Sequence, residues 1–377
     1  MDNLKTLLTR GVEQVLPSKE TLSDRLSQGP IKLFMGIDAT GPSLHLGHLS
    51  SLMKLRDFQE MGHEVTVLLG DFTTQIGDPT DKLAARQILS KEVIESNLKD
   101  YKRQVLLILD QDKTIFRRNS EWFDKMSVQE FLTLATEFTD KDLTDRDMFV
   151  ERKKQGKPVY ANELLYPLIQ GYDSVALGVD LEVGGNDQMF NMLSGRDLLS
   201  RRGKEKFVLT TKLLVDPSGK KMGKTEGNMA SLTDSSANIL GKIMSWPDTL
   251  MPLGFEILTR LPDEEVEAIL ATHPKEAKLT LAEEVVKLIY DEGEAKKARE
   301  GFGLTPDNME MVEISEGTKL IEVLIDAGLV ESKSEFRRLV EQGGISLNDN
   351  KITDPDASVA EGRVRVGPLR FLNIKLK

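Results

Sequence analysis

Residues 31–70 read IKLFMGIDATGPSLHLGHLSSLMKLRDFQEMGHEVTVLLG, and this stretch decides the fold. Ile31–Ile37 is a short apolar run ending at Asp38, as a buried strand does. Ala39–Ser43 carries Gly and Pro and reads as a turn. Leu49, Leu52, Met53 and Leu55 then recur at helical spacing among charged residues, and Gly62 suits the position just past a helix end. Val65–Leu69 is a second continuous apolar run, the pattern of a strand buried on both faces, and Gly70-Asp71 ends it. Strand, helix, strand predicts a βαβ unit, the building block of a doubly wound (Rossmann-like) α/β domain with a parallel sheet.

The rest of the chain extends that unit. From about 110 to 158 the pattern is helical and charged, with Trp122, Phe123, Phe131 and Phe138 as apolar anchors, and predicts an insertion between the two halves of the fold. Leu164–Leu177 predicts a helix and Leu181–Val183 a strand. Gly184-Gly185-Asn186-Asp187-Gln188 reads as a turn into a helix, and Phe207–Leu214 as a further strand. Lys220–Asn228 is a polar, Gly-rich loop that closes this first domain at 228. Helices dominate 229–305, with breaks at Leu261-Pro262 and His273-Pro274, and 306–316 reads as a linker. Residues 317–377 predict a small α+β domain: two short helices, a hairpin turning at Asn348-Asp349-Asn350, and two strands.

Composition sets limits on function. The 377 residues fit two or three domains at roughly 100–200 residues each. There is no cysteine, so disulfides and thiolate-bound zinc are excluded and a reducing compartment is compatible. The N-terminus lacks the apolar core of a signal peptide, and runs such as Val105–Leu109 are too short to span a bilayer. A soluble, cytoplasmic protein without a membrane partner is expected. A net charge of −11 argues against a general nucleic-acid coat. The tail differs: Lys333–Lys377 holds nine Lys/Arg against six Asp/Glu, so it carries +3 and the remainder −14.

Two of the four histidines, His45 and His48, flank Gly47 at the predicted start of the first helix. A helix N-terminus offers unpaired N–H groups and partial positive charge, which suit phosphate. Gly47 leaves room for a flat ring such as adenine. The competing reading is a zinc pair completed by carboxylates, His63 or His273, or two incidental surface histidines. Lys221 and Lys224 stand three residues apart beside Gly223 and Thr225 in the polar loop, an arrangement that suits a clamp on a pyrophosphate leaving group, though a solvated loop reads the same way. Tyr166, Gln170 and Asp173 fall at i, i+4 and i+7, so they share one face of an apolar helix, where Gln and Asp need polar partners.

His45-Leu46-Gly47-His48 and Lys221-Met222-Gly223-Lys224-Thr225 together resemble the two signature motifs of class I aminoacyl-tRNA synthetases. The face Tyr166, Gln170, Asp173, the Gly77-Asp78-Pro79 turn and the Gly184–Gln188 loop narrow the resemblance to the bacterial tyrosyl-tRNA synthetase family, over nearly the whole chain. That family implies activation of L-tyrosine by ATP, with magnesium accompanying the ATP, and transfer to tRNA(Tyr) by a homodimer whose interface lies near Trp122–Phe138. By position, Gly36, Asp38, Thr40, Asp78, Tyr166, Gln170, Asp173 and Gln188 would line the tyrosine and adenylate pocket. His45, Gly47, His48, Gly185, Asp187 and Lys224 would meet ATP, with Asp187 on the ribose side. Lys82 and Arg86 would join Lys221, Lys224 and Thr225 around the phosphates, and no dedicated metal cage is expected. The last sixty or so residues resemble the RNA-binding fold of ribosomal protein S-four through Lys319-Leu320-Ile321, Ser332-Lys333-Ser334-Glu335, Arg337-Arg338-Leu339 and Gly343-Gly344-Ile345. Lys333, Arg337 and Arg338 would there meet RNA phosphates. Two departures stand out. The chain has Asp38-Ala39-Thr40-Gly41 where the family has Asp-Pro-Thr-Ala, and Phe34 where some members place a tyrosine. The nearest rival is the tryptophanyl enzyme, which shares fold and motifs. A small nucleotidyltransferase and a non-catalytic RNA-binding relative are more distant ones.

Overall fold

The computed structural model describes residues 2–79, 89–144, 147–215, 229–302, 311–315, 317–330, 332–348, 350–367 and 370–377. Lys82, Arg86, Lys221, Lys224 and Thr225 lie outside the described residues.

Six strands make the principal sheet: β1 (Val12–Leu16), β2 (Lys32–Asp38), β3 (Glu64–Gly70), β4 (Thr114–Arg118), β5 (Leu181–Gly185) and β6 (Phe207–Thr211), in the order β1-β6-β5-β2-β3-β4. All neighbours are parallel except β1, which runs antiparallel to β6 at the edge. From β2 the chain winds outward through β3 and β4, then returns to β5 on the other side of β2. The switch point therefore lies between β2 and β5, where open α/β sheets bind ligands at the carboxyl ends of their strands. The expected βαβ unit is present. Helix Leu46–Glu60 links β2 to β3 and buries Leu46, Leu49, Leu52 and Leu55 completely, at the 3–4 residue spacing of one helical stripe. Gly62, at φ +86°, takes the left-handed position that lets the chain turn back into β3.

The β2–β5 pairing is short. It runs only from Leu33↔Leu181 to Phe34↔Glu182, whereas β2 and β3 stay paired from Lys32↔Glu64 through Asp38↔Gly70. Beyond Phe34 the sheet parts. Gly36, in the middle of a central strand, is exposed, and a Cβ built there would meet nothing within 4 Å. An opening in the sheet at the switch point is the result.

Three strands differ from the sequence expectation. β1 is absent from that expectation. β4 occupies residues read as the start of a helical insertion; Thr114-Ile115-Phe116 are strand formers whose pairing partner, β3, is too far along the chain to show in local periodicity. β7 (Met311–Ile314) falls within the span expected as a linker and pairs in parallel with the last strand.

The chain forms two compact units, Met1–Asp234 with Trp246–Leu281, and Ser235–Ser245 with Ala282–Lys377. The helical span 229–305 is thus shared between them. In the second unit, helices Ser236–Met244 and Glu292–Gly301 pack together, and the hydroxyl of Ser236 donates to Glu294 at 3.1 Å. A five-stranded sheet, with β8 (Ile345–Leu347), β9 (Asn350–Lys351), β10 (Gly362–Val366) and β11 (Arg370–Leu376), has the order β7-β11-β10-β8-β9. Helices Leu320–Asp326 and Lys333–Glu341 share its core through Leu324, Phe336, Val340, Ile345 and Val364. Among the described residues no helix is long and apolar enough to cross a membrane.

Phe336 is wholly buried in that small core, so Phe336→Ala should cost about 3–5 kcal/mol. Amide hydrogen exchange should then show protection lost over 320–376 and kept over 32–38 and 64–70.

Candidate active site at the parting of the sheet

β2 delivers Asp38 to the rim of the opening. Its carboxylate accepts from the hydroxyls of Thr73 (2.6 Å) and Tyr166 (2.8 Å). Residue 70, paired with Asp38 across β2 and β3, must be glycine, because a Cβ there would collide with the Asp38 carboxylate. Tyr166 starts the face predicted on helix Ala161–Leu177. It is buried, and burial first, then Asp38, pushes its phenol well above the usual range. One turn on, Gln170 Nε2 donates to Glu182 Oε1 at 3.1 Å. Asp173 comes next on this face, 3 % exposed. Its Oδ1 accepts from Trp122 Nε1 (2.9 Å) and its Oδ2 from Asn119 Nδ2 (3.4 Å). Burial drives the Asp173 carboxyl well above its ordinary value, and these two donors pull it partly back.

The two glycine-containing turns close the opening from either side. Asp78 is buried and accepts from Gln188 Nε2 at 2.8 Å, and Gln188 Oε1 in turn accepts from Asn191 Nδ2 at 3.0 Å. Asp187 folds over Gly185: a Cβ on residue 185 would stand 2.6 Å from Asp187 Oδ1. Gly36 and Thr40 are exposed on the same rim.

His45 is the N-cap of helix Leu46–Glu60. Its Nδ1 accepts from Gly47 N at 3.1 Å, while His48 Nδ1 accepts from His45 N at 3.2 Å, and the rings lie 4.0 Å apart. Because each Nδ1 accepts, the neutral rings carry their protons on Nε2 and are donors there. That pattern is a helix cap, and no cluster of three His, Asp or Glu side chains suited to a metal occurs among the described residues. The segment after the polar loop is tied to the same cap: Ala230 O accepts from Leu46 N (3.0 Å), and Ser231 forms a β-bridge with His45. The second motif itself lies outside the described residues.

Lys333, Arg337 and Arg338 are in the second unit, exposed on one helix whose other face buries Phe336 and Val340.

Sequence reasoning missed a supporting tier. Asn97, Tyr101 and Gln104, at i, i+4 and i+7 on helix Lys91–Val105, hold the turn after β2. Asn97 Nδ2 donates to Ala39 O (2.8 Å), and Gln104 Oε1 accepts from Leu44 N (2.7 Å). Tyr101 bonds the Gly41 backbone, and burial pushes its phenol up to about 12. The spacing of these three polar residues on an otherwise amphipathic helix was the available signal. Asn119 and Trp122 were missed too, since Trp122 reads as an apolar anchor until its indole N–H is seen to need an acceptor.

The model of the family "tRNA synthetases class I (W and Y)" matches residues 26–303, and that of the "Tyrosine--tRNA ligase SYY-like C-terminal domain" matches residues 302–367. The chain is 38% identical to the tyrosine–tRNA ligase of Thermotoga maritima, over 98% of this chain and 96% of that one. It is 39% identical to the tyrosine–tRNA ligase of Photobacterium profundum, over 98% of each. Among solved structures, the C-terminally truncated mitochondrial tyrosyl-tRNA synthetase of Coccidioides posadasii matches with a TM-score of 0.65 and 23% identity, over 79% of this chain and 91% of that chain. The tyrosyl-tRNA synthetase of Archaeoglobus fulgidus, solved with L-tyrosine, matches with a TM-score of 0.61 and 23% identity, over 79% and 99%. At these identities the structural likeness speaks for the fold.

Asp173 has a testable signature in stability. Its folded-state pKa is raised, so the folded protein holds this proton more tightly than the unfolded chain. Stability is therefore lost as pH rises above the ordinary value of 3.8, until the folded-state pKa is passed. The stability of Asp173→Asn relative to the parent should climb over that window, as followed by urea unfolding from pH 4 upward. A flat difference would mean that Asp173 is not strained by its burial.

Proposed function

The chain belongs to the class I tRNA synthetase family, on its tyrosine–tRNA ligase branch, and from that premise we propose how the cleft activates tyrosine with ATP and loads it onto tRNA(Tyr). Tyrosine enters where β2 and β5 part. Its phenol donates to Asp173, and its ammonium is met by Tyr166, Gln170 and Asp78. Gln188 faces the carboxylate, and Asp38 and Thr40 lie toward the adenylate over the bare backbone of Gly36. The single observation that carries this reading is the opening at the switch point, with Asp38, Tyr166, Asp78 and Gln188 hydrogen-bonded around it and Asp173 buried beside it.

ATP lies across the start of helix Leu46–Glu60, its base over Gly47 and its ribose toward Gly185 and Asp187. The tyrosine carboxylate attacks the α-phosphorus in line. A tyrosyl-adenylate forms, the bond to the β-phosphate oxygen breaks, and pyrophosphate leaves. His45 and His48 donate from Nε2 to the phosphate as charge develops. Lys221, Lys224 and Thr225 clamp the leaving pyrophosphate, with Lys82 and Arg86 beside them. Magnesium comes with ATP as part of that substrate. The terminal ribose hydroxyl of tRNA then attacks the activated carbonyl and AMP departs. No covalent enzyme intermediate is needed, so catalysis is positioning and charge stabilisation.

Selectivity over phenylalanine falls to Asp173, because Phe34 is wholly buried and has no hydroxyl to offer. Phenylalanine would leave a buried carboxylate short of a donor, and this enzyme family is itself the reference case for that rule. Asp173 also favours tyrosine over tryptophan. Lys333, Arg337 and Arg338, exposed together on one helix, support contact with tRNA phosphates. The protein acts in the cytoplasm as a homodimer. Helix Val128–Ala135 supports the interface, since Val128 is 77% and Leu132 60% exposed one turn apart, an apolar stripe that solvent does not favour.

ATP–pyrophosphate exchange, offering tyrosine, phenylalanine and tryptophan separately, should proceed with tyrosine alone. Exchange with tryptophan, or with none of the three, would overturn the reading. Lys224→Ala should slow exchange by about a hundredfold while tyrosine affinity holds; equal loss of both would remove Lys224 from the clamp. Leu132→Glu should shift the protein to monomer in sedimentation velocity, and an unchanged mass would place the interface elsewhere.

A further inference from the structure

Beneath the pocket lies a layer of buried charge that none of the roles above uses. Lys206 is wholly buried just before β6 and donates to Glu182 and to Met192 O (3.0 Å). Its ammonium fits because residue 195 is glycine: a Cβ there would stand 2.6 Å from Lys206 Nζ. Helices Ala161–Leu177 and Met189–Arg201 meet closely at Gly171 and Gly195, which leaves this gap beside Ser174. Glu182, on β5, is 2 % exposed. Its Oε2 receives Lys206 and the Ser174 hydroxyl (3.3 Å), and its Oε1 receives Gln170 Nε2 (3.1 Å).

A carboxylate only accepts, so Gln170 must turn its nitrogen toward Glu182. An amide without such a partner has little to choose between its two flipped states. With the nitrogen committed to Glu182, the oxygen is the end of the amide that faces away from it, on a half-buried side chain.

We propose that Glu182, paired with Lys206, is a positioning residue that locks the Gln170 amide with its oxygen toward the cleft, where it accepts from the α-ammonium of the bound amino acid. The proposal rests on the reading that Gln170 meets that ammonium. Glu182 touches no substrate, so its effect must pass through Gln170 and depend on the amine.

The test uses the full-length protein and two ligands: L-tyrosine, and its des-amino analogue, which keeps phenol and carboxylate and lacks the amine. Glu182→Gln should weaken tyrosine binding about tenfold, the worth of one charge-assisted hydrogen bond. The analogue should change by less than about twofold, since it never used that bond. In a Gln170→Ala background the same substitution should add less than about twofold for tyrosine. Glu182→Met/Lys206→Met, which removes the acceptor and strands no ammonium, repeats the comparison if the single variant melts early. Equal loss for both ligands would make the pair merely structural and overturn the proposal. So would no loss, or an undiminished loss without Gln170. Wild-type exchange with tyrosine is the control beneath: its absence fails the functional reading and this proposal together, whereas its presence without the amine-dependent pattern fails the proposal alone.

Discussion

β2 and β5 stop pairing after Phe34↔Glu182, and the chemistry proposed for the first unit depends on that early stop. A central strand of a parallel sheet ordinarily has both edges satisfied, and unpaired backbone groups away from water are costly. Here the gap is tolerated because it opens to solvent at Gly36 and because β5 ends in Gly184-Gly185, with no side chains to fill it. The last paired position also carries the buried Lys206–Glu182 ion pair, held by Ser174 and Met192 O. Such a pair contributes little stability as such, since desolvation offsets attraction, but breaking it strands a charge in the core. It pins β5 and β6 to helix Met189–Arg201 at the point where the sheet divides.

The rim is rigid for a different reason. Several groups proposed to touch substrate are held by neighbours that do not, Asp38 by Thr73, Gln188 by Asn191 and Asp173 by Trp122 and Asn119, while Asp78 and Gln188 hold each other. The turn carrying Thr40 is fixed from behind by Asn97, Tyr101 and Gln104. A site that works by positioning and electrostatics needs this second layer, because an ångström of slack forfeits alignment. The two histidines obey the same logic at shorter range. They satisfy the helix start through Nδ1, and a neutral ring that accepts there carries its proton on Nε2.

What could be read from the sequence was whatever repeats locally. The face Tyr166, Gln170, Asp173 and the histidine pair lie within a turn or two of chain, and each element of the βαβ unit carries its own pattern, so periodicity speaks there. β1, β4 and β7 were missed because a strand of four or five residues at a sheet edge is defined by a partner far away in sequence: Leu209 for Val15, Val67 for Phe116, Ile374 for Val312 would not have suggested themselves. The supporting residues were missed for a related reason. Glu182 reads as a lone charge in an apolar strand until Lys206, twenty-four residues on, is found against it. Asn119 and Trp122 join the site only once β4 brings them beside Asp173.

Acidic side chains gather at the pocket. Asp38, Asp78, Asp173 and Glu182 converge from four different elements, and Lys206 is the lone buried cation among the described residues near them. Burial raises the proton affinity of Asp173, and the nearby carboxylates of Glu182 and Asp38 add to it. A ligand with an ammonium group relieves this strain, and a ligand with a phenol supplies a further donor to Asp173. Phosphates are unwelcome in such a field, and the lysines proposed to bind them stand on another segment, beyond the helix cap in sequence. In the proposed binding mode the ammonium meets these carboxylates, and a ligand that binds only the folded state stabilises it. In that proposal the amino-acid end of the substrate pair is selected by these carboxylates and the phosphate end by a separate segment.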